Sequence, residues 1–147
     1  MKETGEVKIF PHTTRIEVAF RDIDAMGHVN NAVYLSYLET ARIKFMTTLQ
    51  HVGHLRELPI ILAEATVRYL SPALFGETLL IGTGVSRLGN KSFDMLHEIV
   101  VENGRLIATA RSVLVMYDYT SEQTFPIPDN FRQQLVAMQE GWQPPVW

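Results

Sequence analysis

Arg21 to Arg42, RDIDAMGHVNNAVYLSYLETAR, joins a turn dense in polar groups to the longest helical pattern in the chain. Asp22, Asp24, His28, Asn30 and Asn31 crowd the approach. Apolar residues then recur at Tyr34, Leu35, Leu38, Ala41, Phe45 and Leu49, the spacing of one buried helical face. Asn30 or Asn31 suits the N-cap, because its side-chain oxygen can accept a bond from a first-turn N–H that has no intrahelical partner. The helix is expected to start near Asn31 and to stop between Gln50 and Gly53, where Gly53 offers a left-handed cap. Free N–H groups and the positive end of the helix dipole then point at the turn, and such an end can hold an anion or a developing oxyanion.

Before this stretch, residues 1 to 12 read as a loosely held lead-in, and Thr13 to Phe20 alternates with Ile16, Val18 and Phe20 on one face, a half-buried strand. After it the period changes to two. Ile60 to Tyr69, Thr78 to Ser86, Ser92 to Val101 and Leu106 to Tyr117 read as strands, with Ser71-Pro72, Gly76, Gly89-Asn90 and Asn103-Gly104 as turns. Connections this short make the sheet antiparallel. A short helix over about 129–139, carrying Phe131, Leu135 and Met138 and capped by Asp129, precedes an irregular tail. The pattern predicts an α+β protein of one domain spanning 1–147, with a core over about 13–120: a five-stranded antiparallel sheet curled against one long helix. Such a sheet leaves a face or edge that invites dimerisation.

A chain of 147 residues with 46% hydrophobic residues supports one full core and is short for two. A net charge of -3 argues against a general nucleic-acid binder. With no cysteine, disulfides, thiolate metal sites and a cysteine nucleophile are excluded, in keeping with the cytoplasm. No run reaches the ~18 apolar residues of a membrane span, and the first residues lack a signal-peptide pattern.

Two acids could do chemistry. Asp22 pairs with Arg21 or Arg15, or satisfies backbone N–H groups, as loop acids do. Asp24, within a turn of the helix start, could attack an acyl carbon or take a proton from water while helix-end N–H groups hold the carbonyl oxygen. His28 binds substrate, shuttles a proton or serves as a structural hydrogen-bonding group. Asn30 and Asn31 are caps on the plainest reading, and Tyr34 is a core or pocket-wall residue. Glu64 lies on the polar face of its strand, solvated, at an interface, or reaching a partner's site. Arg87, Lys91 and Ser92 around Gly89-Asn90 form either a phosphate-binding cluster or an ordinary charged hairpin. His51, His54 and Glu57 have a metal-like spacing, but Gly53 interrupts it and no metal is expected. Gly82, Gly84 and Gly89 mark close backbone approach or a bulge rather than a phosphate loop.

The run DAMGHVNNAVY from Asp24 to Tyr34, entered from a strand and followed by Glu39-Thr40-Ala41-Arg42, resembles the hot-dog-fold acyl-CoA thioesterases of the 4-hydroxybenzoyl-CoA thioesterase family, in its long-chain acyl-CoA branch. Val67 to Ala73 with Gly76-Glu77 resembles the family's second strand and its turn. The resemblance implies a helix wrapped by an antiparallel sheet, homodimers that often pair into homotetramers, and active sites at the dimer interface. It implies hydrolysis of an acyl-CoA, or of an acyl carrier protein thioester with the same phosphopantetheine arm, without a cofactor. The family's catalytic aspartate falls on Asp24 and its carbonyl-polarising N–H on Asn31. Alternatives are a hot-dog enoyl-CoA hydratase, and a non-catalytic dimer that binds acyl-CoA or acyl carrier protein.

Overall fold

The computed structural model describes residues 9–50 and 58–147. Strand β1 (His12–Glu17) leads through a single 3-10 turn (Phe20–Asp22) to helix α1 (Val33–Gln50). Then come β2 (Ile60–Tyr69), β3 (Thr78–Leu88), β4 (Ser92–Val101), β5 (Leu106–Asp118), a two-residue β6 (Gln123–Thr124) and helix α2 (Asp129–Met138). The long strands pair antiparallel in the order β1-β3-β4-β5-β2, with β6 on β5. This is the expected α+β architecture, and the four strands after α1 fall where the period-two pattern put them. The helix is described to Gln50, the start of the range in which it was expected to stop, while the Gly53 cap and the His51, His54, Glu57 spacing lie outside the described residues.

The helix and sheet enclose two apolar clusters. The first half of α1 lays Tyr34, Tyr37, Leu38 and Ala41 on Leu79, Ile81, Ile99, Ala108 and Ala110. The second half lays Phe45, Met46 and Leu49 on Val85, Met95, Phe93 and Leu114, where Phe131 and Leu135 of α2 join them. A polar layer separates the two. Fully buried His97 meets Thr83 Oγ1 at 3.2 Å through Nδ1 and Ser112 Oγ at 3.3 Å through Nε2. Arg42 of α1 sits at the same level, and its charge acts on His97. Burial, with that neighbouring charge, pushes the imidazole down to about 3, so the ring is neutral and one nitrogen donates while the other accepts.

Local differences from the sequence pattern have local causes. β1 stops at Glu17, and Phe20 lies 79% exposed rather than on the strand's buried face. The Ala19 N–H binds the Asp22 carboxylate at 3.0 Å and the Asp22 N–H binds the Ala19 carbonyl, so the chain turns there. Leu35, expected on the buried helical face, is 46% exposed and belongs to neither core cluster. Phe10 is not part of a loose lead-in: it is buried against Gly82, where a Cβ would sit 2.5 Å from its ring. Gly84 admits the ring of Trp142 equally closely, so these glycines mark close approach. Pro128, not Asp129, holds the N-cap position of α2, and Asp129 lies in the first turn.

The His97 layer makes stability depend on pH. The unfolded imidazole titrates near 6.5 and the folded one far below it, so its contribution is complete above pH 6.5 and is lost as pH falls toward 3. Urea unfolding of the wild type between pH 6.5 and 5 should lose stability with a slope approaching ~1 kcal/mol per pH unit from this group. His97→Gln should flatten that slope; equal slopes would show that His97 does not carry it.

Candidate active site

The polar turn ahead of α1 is a small hairpin. Ile23 bridges Val29, the Asp24 N–H donates to the His28 carbonyl at 3.0 Å, and the Gly27 N–H donates to the Asp24 carbonyl at 3.1 Å. Gly27 has φ +89°, the left-handed conformation that closes such a short loop and that side chains resist. The hairpin leans on the loop between β2 and β3: Val29 N–H donates to Ala73 O, and His28 bridges Leu74. That loop is clamped by Arg105, which donates to Ser71 Oγ at 2.8 Å, the Pro72 carbonyl at 2.6 Å and Glu77 Oε1 at 2.6 Å.

Within this frame the two aspartates separate in role. Asp22 is structural, as its Oδ2 accepts from the Ala19 N–H at 3.0 Å and from the Tyr37 hydroxyl at 2.6 Å. Burial, and then the bond to Asp22, hold the Tyr37 hydroxyl protonated far above the ordinary tyrosine range. Asp24 is half-buried, and its Oδ1 accepts the Met26 N–H at 2.9 Å. Its Oδ2 accepts from no described residue.

The cap belongs to Asn30. Its Oδ1 accepts the Ala32 N–H at 2.9 Å and its carbonyl accepts the Val33 N–H at 2.9 Å, so regular helix begins at Val33, two residues beyond Asn31. The Asn31 N–H donates to no described residue and stands exposed at the positive end of α1. The Asn31 carbonyl accepts the Tyr69 hydroxyl at 2.8 Å. Tyr69 is a neighbour of the candidate site that the sequence reading passed over; it shares the helix-side face of β2 with Val67, which was the signal available. Tyr34 is buried, its hydroxyl accepts the Ala73 N–H at 3.2 Å, and its ring lies 5.2 Å from that of Tyr69. The His28 backbone holds the turn, while its half-buried imidazole bonds to no described residue.

Other expected site residues lie elsewhere in the chain. Glu64 is exposed on β2, following a bulge and paired with Val113 on the face away from α1. Arg87, Lys91 and Ser92 do come together at the β3–β4 hairpin, at the opposite end of the sheet from Asp24. Arg87 is engaged, donating to Ser92 Oγ at 3.0 Å and Asp94 Oδ1 at 2.9 Å, while Arg111 takes Asp94 Oδ2 at 2.7 Å. Burial raises the Asp94 carboxyl, but the two guanidinium groups outweigh it and hold it below the usual range. Lys91 reaches Thr124 Oγ1 at 3.4 Å. Among the described residues no His, Asp and Glu group is arranged to hold a metal, and no helix is long and apolar enough to cross a membrane.

Residues 18–135 match the model of the thioesterase-like superfamily. The chain is 36% identical to a thioesterase from Thermus thermophilus solved with coenzyme A and Zn, with a TM-score of 0.82 over 92% of this chain and 98% of that one. It is 26% identical over 128 residues to the long-chain acyl-CoA thioesterase FadM of Escherichia coli (strain K12), covering 85% of this chain and 97% of FadM. It is 28% identical over 116 residues to the 1,4-dihydroxy-2-naphthoyl-CoA hydrolase of Thermosynechococcus vestitus, covering 76% of this chain and 80% of that protein. With its antiparallel sheet packed on one long helix and a carboxylate set beside the helix start, this chain belongs to the thioesterase-like superfamily and is a thioester hydrolase of the hot-dog fold.

Proposed function

We propose that this protein hydrolyses acyl-CoA to free acid and CoA at a site built from Asp24 and the start of α1. The observation that carries the assignment is a carboxylate with one free oxygen on the same turn as an unused N–H, that of Asn31, at the positive end of a helix. The N–H and the helix end stabilise the thioester oxygen as it gains charge. Tyr69, bonded to the Asn31 carbonyl, steadies the adjoining peptide. Asp24 either attacks the acyl carbon, expelling the thiolate and leaving an anhydride that water cleaves, or removes the proton from a water that attacks directly. Both routes return the carboxylate and release a protonated thiol. His28, Asn30 and Tyr34 border the site as substrate-facing and turn-holding groups.

The working unit is a homodimer closed through β2. All ten residues of this edge strand are at least partly exposed, Ile61, Leu62 and Tyr69 among them, and a long apolar edge is a pairing surface. Twofold-related copies pair antiparallel, which sets the Ile60 end of one β2 beside the Tyr69 end of the other. Glu64, and the sheet end that carries Arg87, Lys91 and Ser92, then come to the side of the other protomer's Asp24. Acyl carrier protein presents the same arm as CoA and is a second thioester donor for this site.

Thiol release from a panel of acyl-CoAs tests the chemistry. Asp24→Asn should keep binding acyl-CoA and lose about 10²-fold or more of kcat; a variant as active as wild type would remove Asp24 from the reaction, and a wild type inert on every thioester would remove the function. Sedimentation should return twice the 16.7 kDa chain mass, or four times if dimers pair. A monomer that is fully active would overturn the shared site.

A further inference from the structure

Arg42 is the one buried arginine among the described residues, 6% exposed in the middle of α1. It neither donates a hydrogen bond to a described residue nor forms an ion pair with one. Burial works against its charge, and Glu39, almost one helical turn back, favours it from a distance. His97 cannot answer it, since that ring is neutral and both its nitrogens face hydroxyls. A guanidinium keeps its proton in proteins, and the Arg42 nitrogens are not among the sealed, unpartnered atoms, so with no partner among the described residues its charge is open to an anion that enters the cleft.

The structure places a cavity where that anion would come from. Arg42 and Glu39 border a cleft of about 610 Å³ between α1 and β2, whose remaining walls include Ile43, Leu58, Ile60, Leu62 and Leu114. Between the cleft and the turn that carries Asp24, α1 and β2 present side chains that are exposed or partly exposed. Exposed Leu35 lies one helical turn before Glu39, and β2 offers Ala65, Val67 and Tyr69 on its helix side as far as Asn31. From Asn31 to Arg42 the helix rises on the order of 16 Å. Helical side chains lean back by about one turn, which leaves roughly 11 Å between the Asn31 N–H and the guanidinium. An extended chain of about eight to ten carbons, with bonds near 1.5 Å, covers that span.

We propose that Arg42 selects the substrate: the acyl group bound in this cleft carries a second carboxylate at its far end, paired with the Arg42 guanidinium, so that the preferred thioester is a CoA half-ester of a medium-chain dicarboxylic acid. The proposal rests on the thioesterase reading for the reacting end of the ligand. Apolar walls hold the methylene chain, and the planar fork of the arginine binds a carboxylate through two parallel bonds where a methyl terminus would leave it bare. Glu39 at the rim adds selectivity by repelling an acid that stops short of the guanidinium.

Two readouts keep this proposal separate from the reaction itself. Thiol release from decanedioyl-CoA and from decanoyl-CoA is compared for wild type, Arg42→Met and Arg42→Lys. Calorimetry measures binding of the same two thioesters to Asp24→Asn with and without Arg42→Met. Wild type should favour decanedioyl-CoA by at least about tenfold in kcat/KM, the scale of one charge-assisted bond. Arg42→Met should abolish or reverse that ratio, and Arg42→Lys, which keeps the charge but loses the fork, should retain part of it. Binding to Asp24→Asn should show the same preference and lose it with Arg42→Met. If the methionine variant does not fold, a lysine variant with an unchanged ratio overturns the proposal. So does a wild type that prefers decanoyl-CoA, or a preference that survives Arg42→Met. An Arg42→Met chain that dissociates in sedimentation, with neither thioester preferred by wild type, assigns the missing anion to a second copy and overturns it too. Should wild type release thiol from neither thioester nor from the wider panel, the thioesterase reading fails, and calorimetry alone decides the role of Arg42.

Discussion

The Asp22 carboxylate is the joint on which the rest of the site depends. One of its oxygens accepts both the Ala19 N–H, where β1 ends, and the Tyr37 hydroxyl, from the second turn of α1. Its backbone carbonyl takes the Asn30 N–H at 3.0 Å, just ahead of the helix. Strand, hairpin and helix are thereby fixed to one residue. Bonds to a charged acceptor are each worth about 1.5–3 kcal/mol, and a partly buried carboxylate left with one partner would lose more than the bond itself. Tyr37, in turn, stays a donor because its proton is held there. With Asp22 committed to the frame, Asp24 two residues later can keep an oxygen free.

The polar layer across the core does a second job. Thr83, His97 and Ser112 occupy helix-side positions that would otherwise continue the apolar rows of β3, β4 and β5, and they divide the core into two clusters. Hydroxyls on both sides of a neutral imidazole satisfy it completely, which is why it can be fully buried. The layer also sets the level at which a charge can enter from the helix. Arg42 lies beside a ring that offers it dipoles but no counter-charge, and it borders the open cleft.

Much of this was legible in the sequence and some of it was not, for reasons of scale. The strands from Ile60 to Asp118 announce themselves because alternation records burial of one face, and the Asn103-Gly104 turn fixes a register. Gly104, at φ +97°, marks that turn. The tight turn at Gly27 and the cap at Asn30 were readable because their bonding is local, within a few residues of the groups they hold. Tyr69 and Arg42 were not, since Tyr69 acts on a partner across the fold, reaching back 38 residues to Asn31, and Arg42 has no hydrogen-bond partner among the described residues. Arg42 follows Ala41 on the edge of the apolar stripe, where a charged side chain reads as the solvated border. Arg87 was legible only in part: its nearness to Ser92 follows from the hairpin, while its ion pair with Asp94, its cross-strand neighbour and 5% exposed at its side chain, is a contact that residue spacing alone does not give.

The terminal segments explain why β2 is left as the free surface. β1 pairs with β3 only as far as Thr83, so the Val85 backbone beyond it lacks a strand partner on that side. Gln139, at the end of α2, supplies one: its side-chain amide accepts the Val85 N–H at 2.7 Å and donates to the Val85 carbonyl at 2.9 Å. From that anchor Trp142 settles on Gly84 beside Phe10, their rings 5.6 Å apart, and Pro145 to Trp147 arch over Leu96, Thr109 and Arg111. The outer face of β3, β4 and β5 is thus covered by the chain's own end and the inner face by α1. Among the long strands described, β2 has no buried residue and keeps one edge open, with Ile60 and Val67 partly covered by the core clusters. Exposed apolar residues grouped in this way mark an interaction surface or a ligand groove. The same strand floors the strip from Asn31 to Arg42, so whatever covers β2 also roofs the path an acyl chain would follow.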